Sequence, residues 1–197
     1  MHLMTRRAVL FLAVAASCLV SNVSRAADLK VGDAAPEFEA QDDSGKTWKS
    51  SDYVGKKFIV VYFYPADCTG GCTKQAQGYR DDIKKLEDAG IVVVGVSGDT
   101  VSNHAFFKQK EKLNFPLLAD TDGGIAAKFG VPSTKGDKEV TTELDGKKQI
   151  LKRSVTTQRW TYVIGKDGKI LLKRDKVDKP AEDSKVVLDA VAKASGK

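Results

Sequence analysis

The chain has 197 residues, 42% of them hydrophobic and 29% charged, with a formal net charge of +6. Half of that excess sits on Arg6, Arg7 and Arg25; the remaining charges are interspersed without a basic block, which gives no case for nucleic-acid binding. Beyond Ala26 nothing is apolar enough to span a membrane, and the two cysteines there, Cys68 and Cys72, are too few for a disulfide framework.

In chain order, Arg6-Arg7, the apolar run over 8–20 and Ser24-Arg25-Ala26 form a charged n-region, a short h-region and a small-x-small cleavage site. Residues 1–26 are therefore expected to be a signal peptide, leaving one domain over 27–197 in the periplasm or another extracytoplasmic space. Thr5-Arg6-Arg7-Ala8-Val9-Leu10 also fits a twin-arginine signal, although two arginines suit an ordinary secretory n-region as well. Ala15 stands where a lipoprotein signal ending at Cys18 would carry leucine, so a lipid anchor is not expected. In an oxidising compartment Cys68 and Cys72 should be paired with each other, reactive, or both.

The segments over 38–41 and 47–49 flank the turn Asp42-Asp-Ser-Gly45 and predict a hairpin. Residues 57–64 are a nearly continuous apolar strand, as expected with both sheet faces covered. A helix is expected over 73–89, closed by Gly90, then a buried strand over 91–96. A helix over 101–113, a short strand over 115–119 and a helix over 125–129 ended by Gly130 follow. Asp145-Gly146 is a strong turn signal joining strands over 140–144 and 149–155. A second hairpin joins 160–164 to 169–172, and 181–194 carries the apolar stripe Val186, Val187, Leu188 and Val191 of a terminal helix. This order predicts an α/β domain with a central mixed β-sheet flanked by helices and an N-terminal β-hairpin. It is compatible with a thioredoxin-like fold carrying an inserted hairpin.

The chemistry concentrates where the strand over 57–64 meets the helix after it. Tyr64-Pro-Ala-Asp-Cys-Thr-Gly-Gly-Cys-Thr73 is a glycine-bearing loop that puts Cys72 at a helix start. Unpaired N–H groups and the positive end of the helix dipole stabilise a thiolate there, which marks Cys72 as a candidate nucleophile.

The motif Pro65-x-x-x-Thr69-x-x-Cys72 resembles that of the peroxiredoxins. Tyr62-Phe-Tyr-Pro65, Gly71-Cys72-Thr73, Phe115-Pro-Leu-Leu-Ala-Asp120, Phe129-Gly-Val131 and Arg159-Trp-Thr-Tyr-Val-Ile164 resemble the bacterioferritin-comigratory (Q-type) branch of the AhpC/TSA thiol peroxidases. The resemblance runs from about Val31 to the C-terminus. It implies a thioredoxin-dependent peroxidase that reduces hydrogen peroxide and organic hydroperoxides through a Cys72 sulfenic acid. A thioredoxin-like or other thiol would be the reductant, and no metal, haem or flavin is implied.

The resemblance also implies the roles. Pro65 would shield the thiolate, Thr69 would place a hydroxyl beside it, and the Gly71 and Cys72 N–H groups would hold peroxide oxygen. Arg159 would supply a permanent charge beside the sulfur. The chain departs from the family's pattern twice. Gly70 replaces the proline of Thr-Pro-Gly-Cys, and Gln77 stands at the usual resolving-cysteine position, five residues after Cys72. Cys68 is then either the resolving thiol or a bystander; the pair must come within ~7 Å between Cα atoms to join. Gln75 is either an orienting residue for the site or a surface helix position.

His104, in a charged helix, reads as a surface or half-buried histidine far from the cysteine motif, and Tyr62, Tyr64 and Trp160 as packing around the site. A Sco-type copper protein shares Cys-x-x-x-Cys but needs a distant histidine ligand, and only His104 remains after the leader. A thiol–disulfide oxidoreductase would show Cys-x-x-Cys. A redox sensor or holdase using the same cysteine is a third alternative. The oligomeric expectation is a monomer or weak dimer.

Overall fold

A computed structural model describes residues 28–196; the signal peptide expected over 1–26 lies outside the described residues. Strand β3 (Phe58–Phe63) lies at the centre of a five-stranded sheet. It pairs parallel with β4 (Ile91–Ser97) and antiparallel with β8 (Trp160–Ile164). Strand β5 (Leu117–Ala119) flanks β4 and β9 (Ile170–Arg174) flanks β8, giving the order β5-β4-β3-β8-β9. Helix α1 (Gly70–Asp88) crosses from β3 to β4, and α2 (Val101–Glu111) from β4 to β5.

Side chains alternate across a strand, so the apolar run of β3 feeds two cores. Val60, Tyr62 and Tyr64 pack with Cys72, Ala76 and Tyr79 of α1, Phe107 of α2, and Val187 and Val191 of the terminal helix α4 (Asp183–Ala194). Ile59, Val61 and Phe63 pack on the opposite face with α3 (Gly124–Lys128). That face is also covered by Phe38 and by Trp48 of the N-terminal hairpin, which pairs β1 (Glu39–Gln41) with β2 (Thr47–Lys49). Helices thus cover a mixed sheet, as expected. Among the described residues no helix is long and apolar enough to cross a membrane.

Three boundaries differ from the sequence reading. Helix α1 starts at Gly70, because Thr69 is extended (φ −98°, ψ 150°) and its carbonyl already accepts the Thr73 N–H at 2.8 Å. Strand pairing of β5 starts only at Leu117, just after Pro116, which has no N–H to give to a ladder. The inserted hairpin is longer than expected, with β6 (Ser133–Leu144) paired to β7 (Lys147–Thr157). The first half of β6 is exposed and charged, so no hydrophobic alternation announces it. Its turn is at Asp145-Gly146 as expected, with positive φ at both (51° and 75°), the geometry that matches strand twist. The hairpin base rests on the end of β4: a Cβ on Gly98 would lie 2.2 Å from the Val155 carbonyl oxygen.

Candidate active site

Cys72 is the third residue of α1, so the N–H groups of Gly70, Gly71 and Cys72 have no intrahelical acceptor. The preceding loop is pinned on several sides. The Thr157 hydroxyl donates to the Tyr64 carbonyl at 3.0 Å, and the Asp67 N–H donates to Asp99 Oδ2 at 2.9 Å. Cys68 turns the chain with a left-handed φ of 56° before Thr69 takes the N-cap position, without a side-chain capping bond.

The Cys72 sulfur is buried, 1% exposed, and Arg159 Nη2 donates to it at 3.2 Å. Arg159 Nη1 donates to Gln75 Oε1 at 2.6 Å, so the guanidinium forks between the sulfur and a neutral amide. A Cβ on Gly71 would lie 3.2 Å from Arg159 Nη2, so the glycine makes room for this approach. Gln75 is fully buried, not a surface residue, and its Nε2 donates to Asp183 at 2.8 Å. The fold thus brings Cys72, Gly71, Gln75 and Arg159 together from the start of α1 and the residue before β8.

Other expected residues fall differently. Pro65 is half-buried at the head of the loop. The Thr69 hydroxyl does not donate to the sulfur: its single proton goes to the Ala66 carbonyl at 3.0 Å. Trp160 packs against the opposite core, because adjacent residues of a strand face opposite ways, and Lys173 lies over its ring at 4.9 Å. Tyr62 and Tyr64 do pack on the cysteine side, with Tyr62 stacked between Tyr64 and Tyr79 at centroid distances of 5.4 and 4.9 Å. Gln77, at the usual resolving position, bonds Glu111 of α2 at 2.9 Å.

Cys68 is half-buried and faces the inserted hairpin. Burial, then the Asp67 carboxylate, push its thiol up to about 12 against the offsetting hydrogen bond of Thr142 and the charge of Lys110. Both cysteines are free thiols. Their sulfurs have different surroundings: Arg159 donates to Cys72, whereas Cys68 lies near Thr142 and Lys110.

The expectation for His104 is corrected. It is fully buried, and it belongs to the cysteine loop: Nδ1 lies 2.8 Å from Asp67 Oδ2 and Nε2 3.1 Å from the Leu118 carbonyl. Tyr64 OH donates to the other Asp67 oxygen at 2.7 Å. With both ring nitrogens engaged, His104 has no lone pair to offer copper, which removes the third ligand a Sco-type site needs. Sequence reasoning missed Asp67, Asp99 and Asp183, the three buried carboxylates around the loop and the Arg159 network; each is one aspartate among many, and only burial distinguishes it.

The AhpC/TSA family model matches residues 31–173. The chain is 48% identical over 107 residues to a chloroplastic peroxiredoxin Q of Populus jackii, covering 54% of this chain and 50% of that protein. It spans about half the length of such plant relatives. Against peroxiredoxin Bcp of Bacillus subtilis it is 36% identical over 149 residues, covering 76% of this chain and 87% of the relative. The solved structure of peroxidoxin BcpB from Mycobacterium tuberculosis superposes with a TM-score of 0.70 at 30% identity, covering 84% of this chain and 97% of that one. Peroxiredoxin Q of Xanthomonas campestris gives 0.66 at 27%, with 88% and 100% covered. The cysteine loop, the fold beneath it and these likenesses agree: the chain belongs to the AhpC/TSA family, in its peroxiredoxin Q/Bcp branch.

Proposed function

We propose that this chain is a thiol-dependent peroxidase acting on hydrogen peroxide and organic hydroperoxides. The observation that carries this reading is the Arg159 fork, one arm on the Cys72 sulfur at 3.2 Å and the other fixed on Gln75 at 2.6 Å. The Cys72 thiolate attacks the terminal peroxide oxygen. The S–O bond forms as the O–O bond breaks, and the departing oxygen takes a proton and leaves as water or alcohol. Cys72 is left as the sulfenic acid. The Gly71 and Cys72 N–H groups and Arg159 meet the charge that develops on oxygen. Pro65 shields the sulfur, and Thr69, its proton committed to Ala66, accepts from the peroxide O–H. No metal or cofactor takes part in these steps.

Cys68 is the proposed resolving thiol. Its sulfur displaces water from the Cys72 sulfenic acid, forming a disulfide, and an external thioredoxin-like or other thiol reduces it. The first turn of α1 must open for this, since the two sulfurs face different partners. The leader motif supports export, so the reductant is an extracytoplasmic thiol, and the chain acts as a monomer or weak dimer.

Intact mass and peptide mapping after one equivalent of peroxide test the reading. A Cys68–Cys72 disulfide is expected, with Cys72 sulfenic acid in Cys68→Ser. Cys72→Ser should consume no peroxide, and Arg159→Lys should react roughly 100-fold more slowly, the loss typical of one positioned donor. Turnover by Cys72→Ser at the wild-type rate would overturn the assignment; Cys68 left free beside an overoxidised Cys72 would make the chain a one-cysteine enzyme.

A further inference from the structure

Asp183, the first residue of α4, is 1% exposed and joins four elements. Its Oδ2 accepts from Gln75 Nε2 at 2.8 Å, Tyr79 OH at 2.8 Å and Thr161 Oγ1 at 2.7 Å. Its Oδ1 is ion-paired with Arg174. A carboxylate only accepts, so it dictates the direction of every one of these bonds. The Gln75 amide is the one that matters for the thiol. Its nitrogen must face Asp183, which leaves its oxygen for Arg159, a group that only donates.

We propose that Asp183 is a positioning residue for Cys72: by orienting the Gln75 amide it fixes the Arg159 fork on the sulfur. The arrangement also keeps the Asp183 charge off Arg159. Gln75 is a neutral spacer and Arg174 supplies the counter-charge, so the Arg159 charge stays available to the thiolate and the peroxide. This rests on Cys72 being the reactive thiol proposed above.

Asparagine at 183 separates positioning from packing, because it keeps the shape and changes one acceptor into a donor. Arg174 holds the asparagine oxygen, so the new amide nitrogen faces Gln75. Gln75 must then turn its oxygen inward and its nitrogen toward Arg159, donor against donor, and the fork is lost. Asp183→Asn should slow Cys72 sulfenic acid formation by on the order of 10- to 100-fold. Adding Gln75→Glu restores an acceptor on both sides but sets its charge against Arg159, so Asp183→Asn/Gln75→Glu should react faster than either single variant and still more slowly than wild type. Gln75→Glu alone sets two carboxylates together and should again be slow, which keeps the test intact if Asp183→Asn fails to fold.

Two readouts are needed. One is trapping of the sulfenic acid by dimedone with every variant placed in a Cys68→Ser background, followed by mass on the Cys72 peptide. The other is the ratio of Cys72 alkylation by iodoacetate, an anion, to that by iodoacetamide, which is neutral. The second reports the placed guanidinium without peroxide. It should fall in each slow single variant and recover in part in the double. No trappable sulfenic acid in Cys68→Ser, with the alkylation ratio still behaving as described, would overturn the peroxidase reading and leave the positioning intact. A folded Asp183→Asn with wild-type rate and ratio, or a double variant no faster than either single variant, would overturn the positioning role.

Discussion

His104 contacts Asp67, Tyr64 and the Leu118 carbonyl, and the imidazolium is the form that donates from both ring nitrogens to Asp67 and that carbonyl. Burial acts to lower its pKa, but the Asp67 and Asp99 carboxylates and the hydrogen bonds to Asp67 and the Leu118 carbonyl raise it above the ordinary value. A folded pKa above the unfolded one means that folding takes up a proton. The resulting stability is complete below the unfolded pKa of about 6.5 and is lost as pH rises through the folded value. Unfolding in urea should therefore show the gap between wild type and His104→Gln widest at pH 6 and narrower at pH 9. A gap that is flat across that range would show that the ring is not charged in the fold. His104→Ala, which strands the buried Asp67 carboxylate, should cost about 3–5 kcal/mol at the lower pH.

The start of α1 carries two glycines with separate jobs. Gly70 occupies the first helical position, where a backbone N–H has no helical partner, and nothing lies within 4 Å of a Cβ placed there. Thr69 before it is already extended, as a residue preceding proline must be. Gly70→Pro should raise stability by about 0.4–1 kcal/mol by restricting the unfolded chain, and should slow Cys68–Cys72 disulfide formation by resisting the opening of the first turn. Thermal melts and timed peptide mapping check the two effects. Gly71→Ala should act on the chemistry and not on stability. Its methyl group would sit against Arg159 Nη2, so the peroxide rate falls while the melting temperature barely moves.

At the scale of the whole molecule, the inserted hairpin covers the cysteine loop from the side. Lys110 of α2 donates to Thr142 Oγ1 at 2.7 Å, Asn103 donates to the Lys152 carbonyl at 3.0 Å, and Thr142 lies near Cys68. Val140 and Leu151 are directly paired, so residues 141–150 can be replaced by Asn-Gly without disturbing the hairpin base. This variant should fold with a near-wild-type melt. Its Cys68, freed from burial, should be alkylated at pH 8 on the order of 10-fold or more faster than in the full chain, since the thiolate is the reacting form. An unchanged rate would mean that the hairpin does not shield the thiol. The sequence by itself determined most of the elements and the cysteine loop at the start of α1. Apolar runs, turn residues and the Pro-Thr-Cys spacing are local signals, written within a few residues of where they act. It left Gln75 open between two readings, read His104 as a surface or half-buried histidine and passed over Asp183. Those are decided by what lies across the fold: a glutamine on α1 meets an aspartate on α4, and a histidine on α2 meets an aspartate in the cysteine loop. Such pairs are specified by packing and by the requirement that buried polar groups find partners, which no stretch of chain shows by itself.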